Sequence, residues 1–285
     1  LGQIYVVFCA VTYLSLAPEG LDGALIAGGL PPLERPAEDV YRATYRRVLE
    51  KNRRFYERYP GDARRARDLV EHLKAHAVTL PGGGALTPRR FQQLGMGLGA
   101  SDGFERLHYL MEDAWVGGRG GLELGLPFLR AVEAQPAFEC HPIYALLHEA
   151  IYAQGGATNW AAQRVLDEFP AFDPERHDPV QFTGEMVYPW AFEDYAALRP
   201  LRQAAEVLAA RQSWPALYDA AALGRNAVPC AAVAYAEDMY VELAFSQETA
   251  ARIQGLKLWV TNDFGHHGRR SDVARVLGRL LALLR

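Results

Sequence analysis

Val228-Pro-Cys-Ala-Ala-Val-Ala-Tyr235-Ala-Glu237-Asp238 and Leu256-Lys-Leu-Trp-Val-Thr261-Asn-Asp263-Phe-Gly-His266-His267 are two versions of one pattern. Each is a short apolar run that ends in a polar loop, which predicts a buried strand followed by a turn rich in titratable groups. Between them Ser246 to Ile253 reads as a short helix with Ser246 as its N-cap. Ser271 to Leu284 closes the chain as an amphipathic helix capped by Ser271. Strand, helix, strand, helix in that order implies a parallel sheet with helices on its faces. Near the N-terminus, Leu21 to Gly29 reads as a further buried strand ending in glycines, and the apolar run Ile4 to Ala17 as a buried element of the same domain.

Loops at the carboxyl ends of parallel strands are where such sheets place their sites. Asp238 ends the penultimate strand and His266 follows the last one. A carboxylate there fixes the tautomer of an imidazole, which can then take a proton from a nucleophile. The order Ser…Asp…His is that of the α/β-hydrolases. Glu237 and His267 are the adjacent alternatives for the same two roles.

From about Ala37 to Tyr218 the pattern changes to apolar residues at three and four spacing, broken at Pro60-Gly61, Pro81 to Gly84 and Pro215, with almost no strand signal. The expected organisation is an α/β core formed by residues 1–30 and 221–285, with residues 31–220 inserted as a large helical cap. The stretch Arg42 to Arg67 holds ten Lys and Arg against Glu50, Glu57 and Asp62. It reads as solvated helix faces whose inner side is Tyr41, Tyr45, Val48, Leu49 and Phe55.

Of the 285 residues 50% are apolar and 22% charged, a composition that excludes a disordered, collagenous or coiled-coil chain. Thirty basic against 34 acidic residues give a net charge of -4 and no electrostatic bias toward nucleic acid or an anionic membrane. The first apolar run has no basic flank and is too short to span a bilayer. Cys9, Cys140 and Cys230 are an odd, scattered set that suits neither a disulfide framework nor a zinc site, which points to a reducing, cytoplasmic compartment. No metal-ligand spacing and no cofactor motif is present in the sequence, so the expected partner is a small molecule or peptide.

Several segments then resemble one family. Ser101–Ala114 (SDGFERLHYLMEDA), Tyr144–Val165 (YALLHEAIYAQGGATNWAAQRV), Phe182–Asp194 (FTGEMVYPWAFED) and the stretch from Glu237 through His267 are similar to the longer proline iminopeptidases, which are serine peptidases. The resemblance runs through nearly all of the chain and implies an α/β-hydrolase with a helical cap that removes N-terminal proline, or a similar residue, from peptides with a free N-terminus. It implies Asp238 as triad acid and His266 as triad base, with the backbone N–H of Tyr5 as an oxyanion donor. It also makes this chain the C-terminal two-thirds of such an enzyme, without the early strands and the loop supplying the other oxyanion donor.

The departure lies at the nucleophile. Where the family reads Gly-Gln-Ser-Tyr-Gly-Gly-Phe, this chain reads Gly2-Gln3-Ile4-Tyr5-Val6-Val7-Phe8. Ile4 has no nucleophilic atom, and Val6 and Val7 replace glycines that relieve crowding at a strained turn. In the cap, Glu185 and Glu149 match the family's glutamates that receive the substrate's free ammonium. Other readings of the residues are an arginine salt bridge for Glu185, a solvated helix face for Glu149, a satisfied helix histidine for His148, and core packing for Tyr188, Trp190 and Phe192. Three functions remain in view: an aminopeptidase with a disabled nucleophile position, an esterase or amidase of the same fold, and a pseudoenzyme that binds a ligand in its cap.

Overall fold

Six consecutive buried residues make β7 the centre of the sheet. The structure, a computed structural model, describes all residues except Ile4, Arg119 and Arg176, and the backbone alone of Arg269 and Arg270. Among the described residues the strands are β1 (Gly2–Gln3), β2 (Ala24–Ala27), β3 (Val78–Thr79), β4 (Ala85–Leu86), β5 (Trp115–Gly118), β6 (Gly121–Leu124), β7 (Cys230–Tyr235) and β8 (Leu256–Thr261). By contacts the chain divides into two compact units, one of Leu1–Pro36, Gly99–Ser101 and Ser213–Arg285, the other of Ala37–Leu98 and Asp102–Gln212.

The first unit is an α/β layer built on a parallel sheet in the order β1-β2-β7-β8. Residues alternate across β7. Cys230 and Ala232 join Ile26 and α1 (Tyr5–Leu16) through Val7, Val11 and Leu14, whereas Ala231, Val233 and Tyr235 meet Val276 and Leu280 of the helix Val273–Leu284. A strand covered on both faces carries an unbroken apolar run, and alanines at its centre let both helices approach closely. The N-terminal run is therefore a one-sided helix: Val7, Val11 and Leu14 are buried while Tyr5, Val6, Tyr13 and Leu16 are exposed.

Both helix caps expected here are corrected. The helix after β7 spans Leu243–Arg252 and is capped by Glu242, whose side chain accepts from Ala244 N–H. Ser246 lies inside it, with its buried Oγ 3.0 Å from the Leu30 amide it accepts from. The last helix is capped by Asp272, which accepts from Arg275 N–H, while Ser271 belongs to the preceding turn of helix.

The second unit is mainly helical, led by α2 (Ala37–Arg58) and α3 (Asp62–Ala75). It also contains two antiparallel hairpins, β3–β4 and β5–β6, where the sequence reading expected almost no strand. The first is closed by the Pro81 to Gly84 segment, with Gly83 at φ +91°. Tyr41, Tyr45, Val48 and Phe55 are buried along α2, and Leu49 is half-buried. The basic side of these helices is neutralised locally: Arg42 pairs with Glu168, Arg53 with Glu50 and Glu57, and Arg65 with Asp62 and Glu112. Asn52 ties α2 to a distant loop by donating to Phe182 O and accepting from Phe182 N–H, both at 2.8 Å. Removing either group would leave buried backbone polar atoms unsatisfied, which costs about 1–3 kcal/mol.

Candidate active site

β7 and β8 run in register from Cys230 opposite Leu256 to Tyr235 opposite Thr261, so their carboxyl ends release two loops side by side. The Ala236 N–H donates to Thr261 O at 2.9 Å and holds the loops together. The first loop folds back at once. Asp238 Oδ1 accepts the N–H groups of Tyr240 at 2.8 Å and Val241 at 3.2 Å, a local turn that orients the carboxylate. Its other oxygen, Oδ2, lies 2.6 Å from His266 Nδ1. Asp238 is 3% exposed and His266 5%.

Because a carboxylate accepts, the proton of this bond sits on Nδ1, and Nε2 keeps its lone pair as a base. The ring is walled by Tyr240, whose centroid is 4.7 Å away, and by His267, perpendicular at 5.4 Å. Asp238 thus meets His266, while His267 is half-buried and Glu237 exposed.

Gly28, just beyond β2, shapes the space on which the imidazole rests. Its φ is +103°, and a Cβ there would lie 3.3 Å from His266 Cε1. Gly28→Ala is expected to cost about 1–3 kcal/mol in backbone strain and to push the ring off Asp238. A short His–Asp hydrogen bond is expected to give the parent chain a strongly deshielded Nδ1 proton resonance by NMR, and in the variant that resonance should vanish. An unchanged resonance would show that Gly28 does not position the ring.

The expected nucleophile position, Ile4, lies outside the described residues. On one side of it β1 ends at Gln3, and on the other Tyr5 opens α1. The Tyr5 N–H belongs to the first helical turn, where amides have no carbonyl one turn back. A Cβ on Gly2 would come within 2.9 Å of Val6 O, so glycine permits the close approach of β1 and α1.

Within the second unit, Glu149 is buried and accepts Ala161 N–H at 2.9 Å and Ala162 N–H at 3.2 Å, the start of the helix Ala161–Leu166. It occupies the positive end of a short helix, which rules out the solvated helix face that was the alternative to an ammonium-binding role. Glu185 is half-buried and takes the hydroxyl of Tyr144, and among the described residues no arginine or lysine is paired with it. Tyr41 lies near both glutamates: burial, then the charge of Glu149, with a smaller effect from Glu185, holds its phenol well above the usual range. His148, expected to be satisfied, is buried with no hydrogen-bond partner at Nε2. A cavity of about 20 Å³ beside Glu149, Trp160 and Val187 has room for a single water. Tyr188 and Phe192 are core residues, and Trp190 is half-buried.

Sequence reasoning gave no role to Gly28, Tyr240 and Tyr144, and read Tyr41 only as part of the buried side of α2. The two glycines after β2 were the one available signal, since positive φ at the end of a strand is what they permit. Among the described residues no group of three His, Cys, Asp or Glu could hold a metal ion, and no helix is long and apolar enough to cross a membrane.

No family model matches the chain. It is 46% identical over 285 residues to Proline iminopeptidase of Aeromonas sobria, an alignment covering all of this chain and 66% of that protein. It is 33% identical over 277 residues to Proline iminopeptidase aneH of Aspergillus aculeatus, covering 97% of this chain and 61% of that protein. The chain therefore spans a little under two thirds of the length of the curated relatives it matches.

Proposed function

The chain belongs to the proline iminopeptidase family, and from that premise we propose that it is the larger part of a serine aminopeptidase releasing N-terminal proline, or a similar residue, from small peptides. The observation that carries this reading is the 2.6 Å bond between Asp238 and His266 on adjacent loops of a parallel sheet. We read the first unit as the hydrolase core and the second as its cap.

The proposed reaction requires a serine at position 4, so the chain bearing Ile4 is inactive by this route. With that serine in place, its hydroxyl attacks the scissile carbonyl while its proton passes to His266 Nε2. Asp238 stabilises the imidazolium, and the oxyanion that forms is received by the Tyr5 N–H. His266 returns the proton to the leaving amine as the C–N bond breaks. Water then repeats both steps on the acyl-enzyme, releasing proline and restoring the hydroxyl. Glu185 holds the substrate's ammonium; its carboxylate, to which no cationic side chain is paired among the described residues, supports that role. Glu149 supplies negative charge nearby while both its oxygens engage backbone amides.

Ile4 offers neither proton nor lone pair. It favours a second reading, in which the chain as it stands binds an amine-bearing ligand without turning it over. Unpaired thiols at Cys9, Cys140 and Cys230 support a reducing compartment, the cytoplasm. Burial pushes the Cys230 thiol up, which keeps it protonated and unreactive.

The test is an N-acetylated substrate. With a full-length protein carrying Ile4→Ser, acetylating the nitrogen of proline arylamide removes the cation and should lower kcat/KM by roughly tens-fold or more. Equal turnover of both forms would move the function to an ester or amide hydrolase that ignores the amine.

A further inference from the structure

Two buried polar atoms from different parts of the second unit lack hydrogen-bond partners within one cluster of side chains. They are the hydroxyl of Tyr41, on α2 and 1% exposed, and Nε2 of His148, which follows the helix Pro142–Leu147. Aromatic contacts join them: Tyr41 meets Tyr152 edge-on at 6.0 Å, Tyr152 meets His148 at 6.1 Å, and His148 meets Tyr144 at 5.5 Å. Tyr144 in turn donates its hydroxyl to Glu185 Oε1. Buried polar side chains are ordinarily satisfied, and two orphans in one cluster are the mark of a place shaped for a polar guest.

The chemistry of that guest follows from the groups around it. Glu185 Oε1 is taken by Tyr144, which leaves Oε2 as an acceptor. Burial and the neighbouring carboxylates keep Tyr41 a neutral phenol, whose oxygen can accept a hydrogen bond. An imidazole nitrogen that carries no proton also accepts. The surroundings therefore want a small cation with several N–H donors, and an N-terminal ammonium is one.

We propose that Tyr41 is a substrate-binding residue of the amine subsite, its phenol oxygen accepting one N–H of the bound ammonium while Glu185 Oε2 accepts another. This rests on the reading of Glu185 as the ammonium anchor. It adds a recognition rule: the subsite takes a protonated amine by two acceptors from two separate elements, so a ligand of the same shape with no N–H is refused. The secondary ammonium of an N-terminal proline carries two N–H groups, which these two acceptors satisfy without remainder.

The experiment uses the 285-residue chain as it stands, since binding needs no nucleophile. Prolinamide and its ring-oxygen counterpart, tetrahydrofuran-2-carboxamide, are titrated by NMR against the parent, Tyr41→Phe and Glu185→Gln, and the Tm of each protein is measured. The parent should bind prolinamide and not the ring-oxygen ligand. Tyr41→Phe should weaken prolinamide binding ~10-fold, the loss of one hydrogen bond to a charged group, with Tm unchanged or higher because an unsatisfied hydroxyl has been removed.

A lower Tm with unchanged affinity would make Tyr41 structural and overturn the proposal. If Glu185→Gln abolishes binding while Tyr41→Phe does not, the proposal falls and the reading of Glu185 stands. If neither variant changes binding, or the parent binds neither ligand, both fall, and the orphan atoms are served by water alone.

Discussion

A protein extended to the length of its relatives and carrying Ile4→Ser, Val6→Gly and Val7→Gly is expected to hydrolyse proline arylamide about 10⁴–10⁶ times faster than the same protein with Ile4. That is the range lost when a triad member is removed. The size of the effect depends on the rest of the machinery standing ready. His266 is already oriented, its Nδ1 bonded to an Asp238 carboxylate that two backbone amides fix in turn. Gly2 already admits the close approach of β1 and α1. The two valines are not equivalent in this respect. Val6 is exposed, so glycine there costs only about 0.3–0.5 kcal/mol of helix propensity relative to valine, whereas Val7 packs in the core with Ile26 and Ala232 and its loss is dearer. Ile4→Ser alone should therefore carry most of the gain, with the glycines adjusting the fit of the turn. Assays with proline arylamide, with His266→Ala as the control that returns the rate to background, decide the matter. Robust turnover by the chain bearing Ile4 would show that the bond is broken by some other mechanism.

What the sequence disclosed and what it hid differ for physical reasons. Leu256 to Thr261 is observed as the strand β8 with the bounds read from its apolar run, but at the end of the sheet order and with none of its residues buried, so the expected burial is corrected. Cys230 to Tyr235 is legible because a strand buried on both faces concentrates small apolar residues. The two loops could be singled out because loops after parallel strands are few and short, while the choice of Asp238 and His266 over Glu237 and His267 came from the resemblance. The caps failed where a side chain had a distant employer. Ser246 looks like an N-cap, but its hydroxyl serves Leu30, 216 residues away in the chain, and no local pattern carries that information. The hairpins failed for lack of signal, since two-residue strands such as Val78–Thr79 cannot display alternation and β5–β6 is rich in glycine. Glu149 reads as one face of a helix, yet its role depends on Ala161 and Ala162 folding back to it. Tyr41 was assigned to the buried side of α2 by periodicity, correctly, but its hydroxyl end is decided by side chains more than a hundred positions along.

Glu185→Gln in the serine-bearing protein should lower kcat/KM for proline arylamide tens- to thousands-fold and leave a simple acyl ester without an amine almost untouched. An ammonium placed against a partly desolvated carboxylate gains a charge-assisted hydrogen bond, and deleting one partner of such a pair costs about 2–5 kcal/mol. The isosteric amide keeps the shape and still accepts the Tyr144 hydroxyl through its carbonyl oxygen, so the local packing survives and only the charge is lost. This is why the ester serves as the internal reference. Damage reaching Asp238 or His266 would slow both substrates together, while loss of amine recognition slows one. Glu149→Gln is a different perturbation, because its oxygens cap the helix Ala161–Leu166 and the amide weakens that cap as well. Its effect should therefore appear in Tm as well as in kcat/KM, in contrast to Glu185→Gln. Equal losses on the arylamide and the ester for Glu185→Gln would make that carboxylate a structural partner of Tyr144, and the substrate would then be recognised by its acyl group without its amine.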